Sequence, residues 1–444
     1  MKFIVLLFIL QAIYWWVGKR SSRNIKNQED YYLAGKTVTF FPLMMTFLAA
    51  QVGGGLVLGA ADEAFKYGWT VLLYPLGNAL GLICLGLGLG RNLARFQVST
   101  VAQILEVVYK SPFLRKIAAT LSVVSLFMIL VAQIIASRKF LIAMGISSLP
   151  IFAAFWGSII LYTVRGGLKA VIATDMAQAF LFTIVLAACF GLTVASHPVS
   201  PPVESFAVSV SKLSGWLLMP LLFMIIEQDM GQRCFAADSL RTVSRATFWA
   251  GIASMAICVV PVYFGVLAKS LGLIIPAGAS VLMVTISTLT NPWVAAMVGC
   301  AVLAAVISTA TSLINAVSSN LAGDFLQKEK SLRTMQAITA TLSIAAIFFA
   351  FYFNNIVDVL MQSYELSVSC LFVPILIALF KKEGNFISAL LSIGFGFCGF
   401  CIFKIAPLPF LNEPASLMLS LIGYGVGEWI STTAASPAKS GSAD

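Results

Sequence analysis

Residues 304–319 read AAVISTATSLINAVSS and lie inside an apolar run from 293 to 321. A bilayer-crossing helix needs about 20 residues, so the run is long enough. At about 100° per residue, Ala305, Ser308, Thr309 and Ser312 fall on one face. That face is narrow, small and rich in hydroxyl oxygen, in a setting where an unsatisfied polar group is costly. Two readings follow. Small residues let membrane helices approach closely, which makes the stripe a packing seam. A hard cation wants several oxygens, which makes it one wall of a dehydrated ion site. The rest of the chain has to decide between them.

Of 444 residues, 59% are hydrophobic and only 10% charged, against about a quarter charged in soluble domains. Such a chain needs lipid around it, and it reads as an all-α polytopic membrane protein. The eight cysteines sit in apolar segments without a metal-ligand pattern, and Cys398 and Cys401, though spaced CxxC, read as core thiols. The single histidine, His197, lies in a loop. No HExxH, GxSxG or Walker pattern occurs, which argues against an enzyme. The glycine run 86–90, with Gly77 and Gly81 before it, reads as close helix packing. A net charge of +10 is spread by topology, so nucleic acid is not an expected partner.

Thirteen spans are expected, at 2–18, 38–64, 68–90, 116–137, 145–164, 170–196, 215–231, 246–268, 291–323, 334–353, 355–380, 386–403 and 412–432. Residues 1–17 lack a cleavage site and count as a span rather than a signal peptide. With the N-terminus outside and the C-terminus in the cytoplasm, the basic loops at 19–36, 91–116, 165–169, 233–245, 328–333 and 381–382 and Lys439 all fall inside, as the positive-inside rule requires. The tail, 433–444, is small and polar and is expected to be disordered.

Two spans look broken. The second carries Gln51, Val52 and then Gly53, Gly54 and Gly55 near its middle, and three glycines weaken a helix. The seventh carries Pro220 and then Glu227, Gln228, Asp229 and Gly231. Five spans apart, they run in opposite directions, which points to an inverted-repeat transporter with its site at mid-membrane. Asp175 lies more than a turn inside the sixth span. An acid there is functional by default, or else pairs with Arg165 or Lys169.

Several segments together resemble the sodium/solute symporter family. Tyr32-Leu33-Ala34-Gly35-Lys36 is similar to the YFLAGR that opens its first core helix. Tyr162-Thr163, Gly166-Gly167-Leu168, Thr174-Asp175 and Gln178 resemble its YT..GGL.AV..TD..Q signature. Gln232-Arg233 with Ala236-Ala237 resembles the QR..AA end of the sixth core helix, and residues 304–324 resemble the eighth. The resemblance implies a five-plus-five inverted-repeat core like that of the leucine transporter, with one extra helix before it and two after. The units are then 1–37, repeats at 38–196 and 197–380, two helices in 381–432, and the tail.

The resemblance also implies a main sodium site built from backbone carbonyls of Ala49, Val52 and Ala305 and hydroxyls of Ser308 and Thr309. A second sodium site maps to Asp175, Thr311 and Ser312, favouring two ions per cycle. Solute-binding positions are Gln51, Gly53, Gly54, Asn78, Phe223 as an inner aromatic gate, and Gln362; Glu365 is placed either to meet a cationic group or to face a water-filled cleft. Sugar-carrying members have polar groups where Pro75, Pro220 and Phe223 stand, which argues against a sugar. The expected function is sodium-coupled import of a small polar organic solute (amino acid, carboxylate or choline-like) by alternating access across the cell membrane. Sodium is the coupling ion, and the lipid bilayer and the solute are the partners. Proton coupling through Asp175, Glu227 or Asp229 is the rival, and a channel or passive facilitator a weaker one; the sequence leaves oligomeric state open.

Overall fold

The protein is described by a computed structural model covering residues 2–197, 208–326, 331–353, 355–406 and 412–434. The basic residues Lys328, Lys330 and Lys439, and the tail from 435 on, lie outside these. The regular secondary structure of the described residues is helical, apart from one bridge in which Val38 runs parallel to Ala237. In chain order the α-helices are α1 (Lys2–Ser21), α2 (Gln28–Leu33), α3 (Phe40–Gln51), α4 (Ala60–Tyr67), α5 (Leu73–Cys84) and α6 (Gly90–Ala94). Next come α7 (Val101–Tyr109), α8 (Pro112–Ala143), α9 (Leu149–Val194), α10 (Val210–Ile226), α11 (Gln228–Ala236) and α12 (Leu240–Ser270). The last six are α13 (Val281–Leu289), α14 (Pro292–Asn320), α15 (Leu332–Phe349), α16 (Ile356–Ala378), α17 (Phe386–Ile405) and α18 (Asn412–Ala434).

Polar residues mark where helices start, because the first backbone N–H groups of a helix have no partner within it. Asn291 takes the Trp293 and Val294 amides at 3.0 Å ahead of Pro292. Ser111 takes the Leu114 amide ahead of Pro112 in the same way. Pro at the first helical position gives up an amide that had no partner anyway.

Among the described residues nine helices are long and apolar enough to cross a membrane, ten if the pair α10 and α11, bent by 42°, counts as one. The thirteen expected spans are a finer division. The difference lies in how helices are joined and in α18, which is not among the sufficiently apolar helices. Helix α9 runs 46 residues, which at 1.5 Å each is about 69 Å, roughly twice the hydrocarbon thickness. It breaks at Gly167, where φ is 50° and ψ −153°, between the fifth and sixth expected spans. A Cβ on Gly167 would stand 2.3 Å from the Tyr31 carbonyl oxygen. A break taken on one glycine leaves no coil to separate two helical segments.

Helix α14 is the interior element. Its most apolar window is 89% buried, and it packs on α8 and α9 and, more lightly, on α1, α3 and α11. Helix α10 packs on α5 and α16. Both broken segments therefore reach α14, α3 directly and α10 through α11.

Candidate functional site

Both breaks fall where the sequence places them. Helix α3 ends at Gln51, Val52 leaves the helical region with ψ 70°, and a wide helical turn (Gly55–Gly59) leads into α4. The Gly54 amide, freed by the break, donates to Gln133 Oε1 of α8 at 2.7 Å. Gly53 and Gly54 are required by contact rather than by torsion. Cβ atoms there would stand 2.4 Å from Thr309 Oγ1 and from Ala136 Cβ respectively. Helix α10 breaks at Glu227, whose φ of −65° and ψ of 132° are extended, before α11 resumes.

Four of the five groups expected to hold the main ion are in mutual contact. Ser308 Oγ lies 2.8 Å from the Ala49 carbonyl oxygen and 2.9 Å from that of Ala305. Thr309 Oγ1 lies 3.3 Å from both. Val52, the fifth, is fully buried at the break beside Gly53. These oxygens cluster at the point where α3 loses its helical bonds, which are the surroundings a dehydrated hard cation needs.

A cavity of 20 Å³ adjoins them, lined by Ala50, Gln51, Gly53 and Thr309 and by Tyr74, Gln133, Glu227 and Tyr364. That is room for one or two waters, so a solute enters only after the helices part. Of the expected solute positions, Gln51 and Gly53 line the cavity, and Gly54 borders it through Gln133. Phe223 stands behind it, stacked on Tyr364 with ring centroids 4.6 Å apart. Asn78 is buried with its Oδ1 unpartnered, but does not line it. Gln362 is a correction: it is exposed, and Leu360 and Tyr364 of the same helix reach the cavity instead. Glu365 is another, because Lys404 pairs with it at 3.1 Å.

The second ion set is also corrected. Asp175 Oδ2 accepts from Arg233 Nη2 at 3.3 Å and from Thr46 Oγ1 at 2.5 Å. The same Nη2 donates to Ser312 Oγ at 2.5 Å, while Nη1 pairs with Asp229. Thr311 turns its hydroxyl to the Ser308 carbonyl at 3.0 Å. A fully buried guanidinium thus stands between two of the three side chains expected to hold sodium, Asp175 and Ser312. The sequence offered Arg165 or Lys169 as partners for Asp175, but Lys169 pairs with Asp30 at 2.6 Å.

Four residues were given no site role by the sequence reading. Thr46 and Tyr74 carry no motif. Gln133 and Arg233 were legible as polar groups inside apolar stretches, the signal that marks function within a membrane. Gln232, beside Arg233, donates to the Tyr32 carbonyl at 2.5 Å and to Asn315 Oδ1 at 2.8 Å, tying α11 to α2 and α14.

Three comparisons bear on this arrangement. The model of the sodium:solute symporter family matches residues 31–396. The sodium/pantothenate symporter of Escherichia coli (strain K12) is 24% identical, over 94% of this chain and 92% of that protein. The sodium/glucose cotransporter of Vibrio parahaemolyticus is 23% identical over 41% of this chain, a match spanning only 34% of its own length. A solved Na⁺-coupled sialic acid symporter, in a substrate-bound outward-open state, superposes with a TM-score of 0.76 at 16% identity, covering 97% of this chain and 98% of that one. At that identity the likeness is one of fold.

Proposed function

The chain belongs to the sodium:solute symporter family, and from that premise we propose that it is a secondary active transporter, not an enzyme, coupling sodium entry to import of a small polar organic solute. One observation carries the reading: Thr309 belongs to both the oxygen cluster and the cavity wall. Sodium held by the carbonyls of Ala49, Val52 and Ala305 and the hydroxyls of Ser308 and Thr309 fixes the α3 break against α14. That break, with Gln51 and Gly53, is one wall of the solute cavity. Ion binding thus preorganises the solute site, and the solute completes closure.

Losing one coordinating oxygen removes about 1.4 kcal/mol, a factor of ten in affinity. Ser308→Ala and Thr309→Ala are each expected to raise the half-saturating sodium concentration about tenfold, and the pair about a hundredfold, in proteoliposome uptake. Unchanged sodium dependence in the double variant would return the stripe to helix packing. A proton-coupled symporter is the second reading, favoured by the unpartnered Oε2 of Glu227; uptake from sodium-free buffer, driven by an inward proton gradient alone, selects it.

We further propose thirteen spans, with the two halves of α9, the broken α3–α4 and α18 crossing separately, an outside N-terminus, and a cell-membrane location. Most basic residues at the outer ends pair with carboxylates, four lysines with three acids: Lys66 and Lys212 share Glu63, Lys139 pairs with Asp62, and Lys404 with Glu365. In a cysteine-free background, Asn27→Cys should react with an impermeant maleimide only from the cytoplasmic side. Ile274→Cys, 92% exposed, should react only from outside. Reversed labelling overturns the orientation.

A further inference from the structure

We propose that the transported solute carries a positively charged nitrogen and that the Glu227 carboxylate recognises it. The inference rests on the symporter reading above and names the class of solute. The cavity wall contains one carboxyl group and no Lys, Arg or His. Glu227 is only 5% exposed, and its Oε2 has no hydrogen-bond partner. It stands at the N-terminal cap of α11, where a carboxylate normally satisfies free amides, yet its side chain makes no cap bond. Helix capping therefore leaves it unexplained.

The buried cation nearby is committed elsewhere. Arg233 pairs with Asp175 and Asp229; among the described residues no ion pair reaches Glu227. Burying an unpaired carboxylate is expensive unless a counter-charge arrives. Arg233 is shared between Asp175 and Asp229, so the Glu227 carboxyl has no counter-charge of its own, and a cationic nitrogen in the cavity would supply one. An anionic solute would add to the imbalance.

The other walls suit an organic cation better than a bare proton. Tyr74 and Tyr364 line the cavity with Met224, and Tyr364 is backed by Phe223 at 4.6 Å. Aromatic faces attract ammonium groups, more so when desolvated. Gln51, also in the wall, and Gln133, whose Oε1 takes the Gly54 amide, supply polar contacts for the rest of the molecule.

The test uses the full-length protein in nanodiscs. Sodium is first titrated alone, with thermal stabilisation as readout; failure there counts against the symporter reading, independently of Glu227. Six probes are then titrated at saturating sodium by calorimetry. Methylammonium, choline and L-proline carry a cationic nitrogen; 3,3-dimethylbutan-1-ol (the uncharged isostere of choline), glucose and pantothenate do not. Sodium-dependent binding is expected within the first group only, weakened at least a hundredfold by Glu227→Gln and partly retained by Glu227→Asp. Both variants should keep the sodium-induced stabilisation, which shows that they fold. Binding within the second group, no binding within the first, or full cation affinity in Glu227→Gln overturns the proposal.

Discussion

Replacing Arg233 with methionine is expected to remove about 3–5 kcal/mol of stability, the cost of leaving buried charges without their partner. The guanidinium is fully buried and touches Asp175, Asp229, Ser312 and Thr46. Methionine matches much of its length but leaves two carboxylates facing apolar surroundings. The readout is the unfolding midpoint in mild detergent, with the yield of monodisperse protein beside it. A triple variant, Arg233→Met with Asp175→Asn and Asp229→Asn, is expected to recover most of the loss, because the charges go together. Wild-type stability in Arg233→Met alone would show that the two carboxylates find other partners.

One sodium ion is expected to accompany each solute. The α3–α14 oxygens are the set left open to an ion, since Arg233 already stands between Asp175 and Ser312. One ion moving down 100 mV and a tenfold gradient releases about 2.3 + 1.4 = 3.7 kcal/mol, enough to accumulate a neutral solute roughly 500-fold. A singly cationic solute adds about 2.3 kcal/mol of its own, which raises the limit to roughly 25,000-fold. Two sodium ions with a neutral solute would reach roughly 250,000-fold. Reversal potentials on proteoliposomes separate these cases once the solute's charge is known. Asp175→Asn should leave the sodium Hill coefficient at one; a wild-type ratio of two would place a second ion where Arg233 stands.

What the sequence made legible is what periodicity and breakers encode. Ser308 and Thr309 fall on one helical face, and three glycines or a Pro–Glu–Gln–Asp cluster stops a helix. Those features gave the hydroxyl face and both breaks, while the carbonyl of Ala49 came from the family resemblance. Pairings between distant segments were not legible. Asp175 and Arg233 are 58 positions apart, and nothing local distinguishes Arg233 from Arg165 as the partner. Gln362 was misjudged for a related reason. On α16 a shift of two residues turns a side chain by about 200°, and Tyr364, not Gln362, faces inward. Counting spans ran the other way: the sequence divides α9 at its glycines more finely than helix length does.

In the proposed mechanism Thr309 serves the ion cluster and the solute cavity at once, with Gly53 packed against it. Shared walls impose reciprocity: whatever factor sodium contributes to solute affinity, the solute must return to sodium affinity. Neither can be tuned alone through these residues. A lineage adapting to scarcer sodium by altering Thr309 would retune its grip on the solute in the same step. Room for independent adjustment lies at Tyr74, Glu227 and Tyr364, which the oxygen cluster does not touch.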